Sequence, residues 1–375
     1  MENQLIRVMQ VIPDMRSGGA ENFIMNLYRK MNKDEIQFDF SVHYKERRFF
    51  DDEIESYGGK IYRFSLRNDN SVIKYMRDLN RFYKNHPEYK LVHCHWNSMG
   101  FIHLLVAKHN KIKVRIGHSH NSSAGIGKKG KIKKWLVKPY KYVTTLNLAC
   151  SDASGKFLWG KRPFEFIPNA IDVNRFRFSE EARNRVRREW NLPDDAVLLG
   201  HVGRFNVQKN HKQLIAIFNE VVQNNKNCYL MLIGEGELSE QIENLVSEYN
   251  LKDKVIFAGV QSDMQDYYSA MDAFLLPSLY EGLPLTAVEA QASGLPTLLS
   301  DTITTEVKIN DNVYYLNNNC AKDWCEKIDA LKHDGQARLD YNDKVLESVY
   351  NIDELAKKIS DLYKKLYNEQ VNDKN

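Results

Sequence analysis

The chain has 375 residues, of which 43% are hydrophobic and 27% are charged, and its formal net charge is +4. This length exceeds one ordinary core, so we expect two domains, and the composition is that of a globular protein. The mild charge argues against nucleic-acid binding over the whole surface. No apolar run reaches 18 residues, and the polar start at residues 1–4 lacks the pattern of a signal peptide, so we expect a cytoplasmic protein.

The first half of the chain alternates predicted strands and helices, as a doubly wound α/β domain does. The first strand, residues 4–12, leads into Gly18 and Gly19 and then into a helix. These glycines let a ligand approach the backbone, and a plain tight turn is the alternative. The pattern is not G-x-G-x-x-G, which disfavours an NAD-linked dehydrogenase. Further strands are predicted at 37–43, 60–64, 91–96, 113–116 and 145–150, with helices at 72–83 and 98–109.

Histidines cluster at the predicted ends of two of these strands. His95 ends the strand 91–96, and His118 and His120 follow the strand 113–116. Ligands bind beyond the carboxyl ends of strands in open α/β sheets, so these side chains are candidates for a hydroxyl-binding cleft. With His93 they form two H-x-H pairs, which leaves a metal site and purely structural histidines as alternatives. We expect no metal.

The segment Lys128–Lys141 is strongly basic. It contains seven lysines around an apolar face that includes Trp135. Such a segment can lie on an anionic membrane surface at the inner face of the cell membrane, and a solvated surface helix is the alternative. The basic run is local and has no base-stacking platform, so nucleic acid is not an expected partner.

The step Pro168–Asn169 marks the predicted domain boundary. We therefore expect one domain at 1–170 and a second at 171–352. The last helix, residues 353–369, is amphipathic and long enough to pack back on the first domain. The second domain repeats the alternation of strands and helices.

Two cations bracket the turn after the predicted strand 197–202. Arg204 follows Gly203, and Lys209 comes just before the next helix. Arginine supplies a two-pronged donor and lysine a point charge, so the pair can neutralise a leaving diphosphate without a metal. Surface cations with no ligand are the alternative. The turns that contain Gly234 and Val260 follow the next two strands and are candidates for holding a nucleoside.

An apolar strand at 273–277 leads into a helix that begins with an unusual turn. Pro284 suits a first helical position, because that position needs no amide hydrogen. The amides of Gly282, Leu283 and Leu285 would then be free donors at the positive end of a helix dipole. The sequence therefore predicts an anion site at this helix N-terminus.

Two carboxylates flank this predicted anion site. Glu281 lies in the turn and Glu289 lies inside the helix. Carboxylates do not bind phosphate, but they accept hydrogen bonds from hydroxyl groups. A ligand whose phosphates bind to amides and whose hydroxyls bind to carboxylates is typical of a nucleotide sugar. The alternative is a helix whose acidic residues are only cap and surface.

Taken together, four stretches resemble glycosyltransferase family 4: Gly203–Lys209, Glu281–Glu289, Ile167–Asp172 and Gly18–Glu21. The chain is similar to bacterial exopolysaccharide and capsule glycosyltransferases. The resemblance implies the GT-B fold, an α/β architecture in which two Rossmann-like doubly wound domains face each other across a cleft. It also implies that the second domain holds most of the nucleotide-sugar donor.

The resemblance assigns roles to individual residues. It implies that Arg204 and Lys209 bind the diphosphate, that Glu289 accepts from the ribose hydroxyls and that Glu281 contacts the donor sugar. It also implies a histidine near the sugar. We expect His120 in that role, with His95 and His118 as further acceptor-side candidates.

The resemblance further implies a retaining, metal-independent reaction with no cofactor. A hexose or N-acetylhexosamine would move from a nucleotide sugar, with UDP as the expected nucleotide, to a glycan acceptor. A polyprenyl-diphosphate-linked saccharide is one candidate acceptor, in exopolysaccharide or capsule synthesis. Two alternatives stay open at this point: a catalytically silent subunit that binds sugar nucleotides, and a GT-B epimerase.

Overall fold

The computed structural model describes residues 5–16, 18–64, 71–121, 135–331 and 335–372. The chain forms two compact units, Met1–Ala170 with Ile352–Asn375, and Ile171–Asn351. Each unit contains a parallel sheet with helices between its strands. The predicted α/β class is therefore confirmed.

The first unit is built on a parallel sheet of seven strands within the described residues, in the order β3-β2-β1-β4-β5-β6-β7. These strands are β1 (Ile6–Val11), β2 (Ile36–Val42), β3 (Ile61–Arg63), β4 (Leu91–Cys94), β5 (Val114–Ser119), β6 (Leu146–Ala149) and β7 (Glu165–Phe166). Strand β5 continues through His118 to Ser119, so the predicted strand end at Ile116 is wrong. The strand extends because it pairs with β6 as far as Ser119 opposite Ala149.

The helices of this unit connect successive strands. They are α1 (Gly19–Lys30), α2 (Asp51–Ser56), α3 (Val72–Asn85), α4 (Gly100–His109), α5 (Tyr140–Val143), α6 (Asp152–Trp159) and α14 (Ile352–Asn372). Helix α14 comes from the C-terminal end of the chain and packs on α1 and β5. Its residues Leu355, Ile359 and Tyr363 recur every fourth position and are buried in this unit's core.

Strand β1 runs through the middle of the first sheet and is buried on both faces. Val8 packs into the core that contains Tyr363, whereas Met9 and Val11 pack into the core that contains Tyr75. Successive side chains of a strand point to opposite faces, so the apolar residues of β1 fill both layers.

The second unit has a parallel sheet of six strands among the described residues, in the order β10-β9-β8-β11-β12-β13. They are β8 (Val197–Val202), β9 (Cys228–Ile233), β10 (Val255–Gly259), β11 (Ala273–Leu276), β12 (Thr297–Ser300) and β13 (Val313–Leu316). The helices are α7 (Glu180–Glu189), α8 (His211–Asn224), α9 (Ser239–Glu248), α10 (Met264–Ala270), α11 (Leu285–Ala292), α12 (Ala321–Asp329) and α13 (Gly335–Leu346). Short 3₁₀ turns lie at Val173–Phe176, Val207–Lys209 and Thr305–Val307.

The strand order of the second unit places four turns at one edge. Strands β10, β9, β8 and β11 are neighbours and parallel, so their carboxyl ends lie side by side. The turns after them contain most of the residues expected to hold a donor. Among the helices in the described ranges, none has both the length and the apolar character needed to cross a bilayer.

Candidate active site

The four turns at the edge of the second sheet are joined by backbone hydrogen bonds. The Gly203 amide donates to the Ile233 carbonyl at 3.0 Å, and the Gly234 amide donates to the Gly259 carbonyl at 2.8 Å. The Leu279 amide donates to the Gln208 carbonyl at 2.9 Å. The turns after β8, β9, β10 and β11 therefore form one continuous surface.

Glycines let these turns approach closely. A Cβ atom on Gly234 would lie 2.2 Å from the Gly203 carbonyl oxygen, and Gly234 has a φ of 131° that other residues rarely adopt. A Cβ atom on Gly203 would lie 2.8 Å from Cε of Lys209. The lysine side chain therefore lies directly across Gly203, as a cation held over the turn.

Lys209 and Glu281 form an ion pair at this sheet edge. The Nζ–Oε1 distance is 2.8 Å, and only 14% and 8% of the two side chains are exposed. Gln208 donates from Nε2 to the other oxygen of Glu281 at 3.0 Å and to the Tyr280 carbonyl at 3.0 Å. The structure thus brings together two residues that the sequence places 72 positions apart. A bound phosphate would compete with Glu281 for the lysine.

Arg204 is the exposed cation of the same turn. Its side chain is 71% exposed, and its Nη2 atom lies 3.1 Å from Glu237, which is itself exposed. Exposed ion pairs contribute little to stability because water screens them. Arg204 can therefore leave Glu237 at small cost and turn toward an anionic ligand.

Glu289 lies inside α11 and carries an unusually basic carboxyl group. Burial raises its pKa to about 7, although the Tyr268 hydroxyl and the positive charges of Arg175 and Lys209 oppose the shift. The Tyr268 hydroxyl donates to Oε2 at 2.8 Å. The second oxygen is left to accept from ligand hydroxyls when the group is ionised.

Helix α11 begins one residue later than predicted. It starts at Leu285, and Pro284 is the N-cap with a ψ of 101°, so the prediction of Pro284 as the first helical residue is wrong. Its extended ψ lets the turn run straight into the helix. Among the described residues, no protein atom accepts a hydrogen bond from the amides of Gly282, Leu283 and Leu285. These donors are available to an anion.

The first unit contains a polar cavity of about 430 Å³. It lies where β1, β4 and β5 end, and its polar lining includes Glu21, His95, Asn97, His120 and Asn169. Trp96 and Phe157 add apolar surface. Hydroxyl-binding groups beside aromatic rings suit a saccharide.

Of the glycine pair at the start of α1, Gly19 borders this cavity, and the two glycines have different surroundings. A Cβ atom on Gly18 would lie 2.4 Å from a carboxylate oxygen of Glu21, whereas a Cβ atom on Gly19 would meet nothing within 4 Å. The Glu21 carboxylate therefore lies against Gly18, and Gly19 leaves open space at the cavity wall. Burial raises the pKa of Glu21.

The two histidines of β5 and its end are placed differently. His118 lies inside the strand with no exposed surface, and burial lowers its pKa well below the usual value, so its ring is neutral. His120 follows the strand and lines the cavity. Burial lowers the pKa of His120 to about 4, so its imidazole is neutral at physiological pH.

Three histidines could also be considered as metal ligands. Ring nitrogens of His93, His95 and His118 lie within 4.8 Å of one another. Both ring nitrogens of His95 already have hydrogen-bond partners, Gln10 and His120. A metal would have to displace one of these bonds, so the arrangement is better described as a neutral imidazole cluster.

The remaining predicted residues are Val260 and the basic segment. Val260 follows β10 and is 71% exposed beside the Gly234 turn. Residues 128–134 of the segment Lys128–Lys141 lie outside the described residues. In the described part, Trp135 is 65% exposed, and the exposed Tyr142 ring lies 4.6 Å from the Lys141 ammonium.

Sequence reasoning missed several residues of the two sites, among them Asn97 in the cavity. Gln208 precedes Lys209 within the noted turn, and Asn169 lies within the noted stretch Ile167–Asp172, so both had a local signal. Tyr268 lies on α10, 21 positions before Glu289, and no local pattern links them.

Two Rossmann-like units, one with a cation-and-carboxylate turn at its sheet edge, are the architecture of the GT-B fold. A crystal structure of HepE from Anabaena in complex with UDP has a TM-score of 0.79 to this chain at 14% identity. The match covers 96% of this chain and 100% of HepE. A glycosyltransferase from Rickettsia africae has a TM-score of 0.78 at 15% identity over 97% of this chain and 99% of its own. The predicted GT-B fold is confirmed.

Sequence comparison then gives the family. The model for Glycosyltransferase Family 4 matches residues 17–175, and the model for Glycosyl transferases group 1 matches residues 182–347. The putative glycosyltransferase EpsF of Bacillus subtilis is 34% identical over 316 residues, which are 82% of each chain. An Escherichia coli UDP-Gal:alpha-D-GlcNAc-diphosphoundecaprenol alpha-1,3-galactosyltransferase is 26% identical over 71% of this chain and 72% of its own. The chain belongs to glycosyltransferase family 4, as its motifs indicated.

Proposed function

We propose that this glycosyltransferase is retaining and metal-independent, and that it moves a hexose or N-acetylhexosamine from a UDP-sugar to a glycan acceptor. The observation that carries the proposal is the turn surface of the second unit. It combines Lys209, Arg204 and free helix amides with two carboxylates, Glu281 and Glu289, at one sheet edge.

The cations and amides would bind the donor diphosphate. Lys209 would leave Glu281 for a phosphate oxygen, and Arg204 would leave Glu237. Positive charge fixed at the leaving group stabilises the charge that develops as the sugar bond breaks. This supply of charge from the chain itself supports a reaction without metal or cofactor.

The two carboxylates would bind the hydroxyls of the donor. Glu289, next to Tyr268, would accept from the ribose, and Glu281 would turn to the donor sugar once Lys209 binds phosphate. Each carboxylate already has a hydrogen-bond partner, which suits positioning rather than nucleophilic attack. In a retaining reaction the departing phosphate oxygen would take the acceptor proton on the same face.

The acceptor would bind at the cavity of the first unit, where Glu21, Asn97 and His120 offer hydrogen bonds. Relatives support the choice of substrates. HepE was crystallised with UDP, and the E. coli relative is named for a UDP-galactose donor and an undecaprenol-diphosphate acceptor. We therefore favour a polyprenyl-diphosphate-linked glycan in exopolysaccharide or capsule synthesis, at the inner face of the cell membrane.

A thermal-shift screen over nucleotide sugars tests the proposal. A donor at a hundredfold excess over its dissociation constant stabilises the folded protein by about 2.7 kcal/mol. UDP-sugars should raise the melting temperature, and the same sugars should slowly release UDP. Stabilisation with no UDP release would indicate a silent binding subunit. A panel in which no nucleotide sugar raises the melting temperature would refute the proposal.

A further inference from the structure

A continuous row of hydrogen bonds leads from His120 into the core of the first unit. His120 Nε2 lies 2.8 Å from His95 Nδ1, and His95 Nε2 lies 2.9 Å from Gln10 Oε1. Gln10 Nε2 lies 3.5 Å from the Tyr363 hydroxyl, which lies 2.6 Å from His93 Nδ1. Hereafter this row, from His120 to His93, is called the histidine chain.

The chemistry of Gln10 fixes the direction of the first two bonds. Its Oε1 atom can only accept, so His95 must carry its proton on Nε2. Burial lowers the pKa of His95 far below its usual value, so this ring is neutral and has one proton only. Its Nδ1 atom therefore accepts, and the proton in the bond to His120 belongs to His120 Nε2.

The same direction continues on the other side of Gln10. The amide nitrogen of Gln10 donates to the Tyr363 oxygen, and the Tyr363 hydroxyl is then free to donate to His93 Nδ1. Every bond of the histidine chain thus points away from His120. If the oxygen and nitrogen of the Gln10 amide were exchanged, donor and acceptor would be exchanged in every bond of the histidine chain. The orientation of this one amide therefore sets the tautomers of His95 and His120.

We infer that Gln10 and Tyr363 are positioning residues, which through His95 hold His120 in the neutral tautomer with its proton on Nε2. This inference rests on the proposed role of His120 beside the substrate. Gln10 comes from β1 and Tyr363 from α14, so the C-terminal helix of the chain sets the state of a ring at the cavity.

The histidine chain orients His120 and does not conduct protons. A glutamine amide does not gain or lose a proton near neutral pH, so a proton cannot pass Gln10. The fixed tautomer leaves His120 Nδ1 as an acceptor. The side chain of Asn169 hydrogen-bonds with the His120 ring and also lines the cavity, so its amide group can serve this atom until a ligand replaces it. The ligand group that suits Nδ1 is a donor, namely a sugar hydroxyl.

Nuclear magnetic resonance of ¹⁵N-labelled histidine side chains tests the inference without substrate. Two-bond ¹H–¹⁵N correlations show which ring nitrogen is protonated, and His120→Asn identifies the His120 signals among the 11 histidines. We expect the wild-type chain to carry the proton on Nε2 of His120 and of His95. A proton on Nδ1 of His120 would overturn the inference.

Variants test the positioning role. Tyr363→Phe keeps the ring but frees the Gln10 amide, and it should shift the ratio of the two His120 tautomers by roughly 2- to 10-fold, the range of one net hydrogen bond. Gln10→Leu should do the same. Tyr367→Phe removes a hydroxyl one turn further along α14, outside the histidine chain, and should change nothing. Unchanged His120 signals in folded Tyr363→Phe and Gln10→Leu would overturn the inference.

Two further measurements separate the alternatives. Zinc analysis of the purified chain should find no stoichiometric metal, and one zinc per chain would overturn the inference because the metal needs the same ring nitrogens. UDP affinity should change less than about twofold in Tyr363→Phe, since the donor set lies in the second unit. Failure of the wild-type chain to bind UDP would refute the proposed function and leave the tautomer result intact.

Discussion

Replacement of Glu289 by glutamine should weaken nucleotide binding in a pH-dependent way. The change keeps the shape and the Tyr268 contact but removes the charge. A hydrogen bond to an ionised group contributes about 1.5–3 kcal/mol, against about 1 kcal/mol for a neutral one. With the carboxylate ionised, at about pH 8, we therefore expect UDP to bind Glu289→Gln roughly 3- to 30-fold more weakly than wild type.

The pH dependence follows from the raised pKa. With the pKa of Glu289 at about 7, about nine tenths of the carboxyl groups are protonated near pH 6. Ribose hydroxyls bind the ionised form more strongly, so binding releases protons from this carboxyl near pH 6. The wild-type affinity should fall by about 2- to 8-fold from pH 8 to pH 6 relative to Glu289→Gln, and the two proteins should converge at lower pH.

Isothermal titration calorimetry with UDP measures both effects. Titrations in buffers of different ionisation enthalpy count the released protons, and Glu289→Gln corrects for the titration of UDP itself. Glu243→Gln on α9 is the matched control, because it removes an exposed carboxylate outside the four turns. Parallel pH curves for wild type and Glu289→Gln would refute the assigned role of Glu289.

The same substitution should have the opposite effect on stability. The folded pKa of Glu289 lies above its ordinary value of 4.5, so the stability supplied by the protonated carboxyl is present below about pH 4.5 and is lost as the pH rises through about 7. Without ligand, Glu289→Gln should therefore have a higher melting temperature than wild type at about pH 8. At about pH 4 the two proteins should melt at the same temperature. A melting temperature below that of wild type at pH 8 would contradict the pKa argument.

Other changes test the remaining contacts. Arg204→Ala and Lys209→Ala should each lower the turnover of a UDP-sugar by about 10²- to 10³-fold, which is the usual effect of losing one contact to a developing charge. Undiminished turnover in either variant would remove that residue from the mechanism. Glu281→Ala leaves Lys209 mostly buried without its partner and should lower the free energy of unfolding by about 1–3 kcal/mol in urea titrations. Bound UDP should restore part of this lost stability. An unchanged urea midpoint would show that the ion pair is not stabilising. Lys138→Glu with Lys141→Glu should reduce flotation with anionic vesicles and leave neutral vesicles unaffected, whereas unchanged flotation would remove these two lysines from a membrane contact.

Local patterns in the sequence were sufficient to predict the order of most strands and helices. The apolar runs that became β8 and β11 were found because strands covered on both faces are short, unbroken and followed by turn residues. The predicted end of β5 was wrong because pairing with a neighbouring strand decides where this strand ends. Strand β5 reaches Ser119 because β6 continues beside it, and the polar residues His118 and Ser119 gave no sign of that.

The contents of the site were predicted in part. The turn residues Arg204, Lys209 and Glu281 were identified from strand-to-turn patterns, since the carboxyl ends of parallel strands meet at one edge. The ion pair between Lys209 and Glu281 was not predicted, because a contact between two turns has no local signature in the sequence. The same reason hides the contact between Gln10 and Tyr363, which are 353 positions apart and meet only when α14 packs on the first sheet.

Transfer from a UDP-sugar carrying ¹³C at its anomeric carbon tests the central claim most directly. The purified chain would be mixed with the donor chosen by the thermal-shift screen and with a lipid-diphosphate-linked saccharide, and the product would be observed by NMR. We predict a new glycosidic bond whose anomeric carbon keeps the α configuration of the donor, and the loss of that product in Lys209→Ala. A β-linked product would contradict the retaining mechanism, and full product formation by Lys209→Ala would contradict the assignment of the donor site.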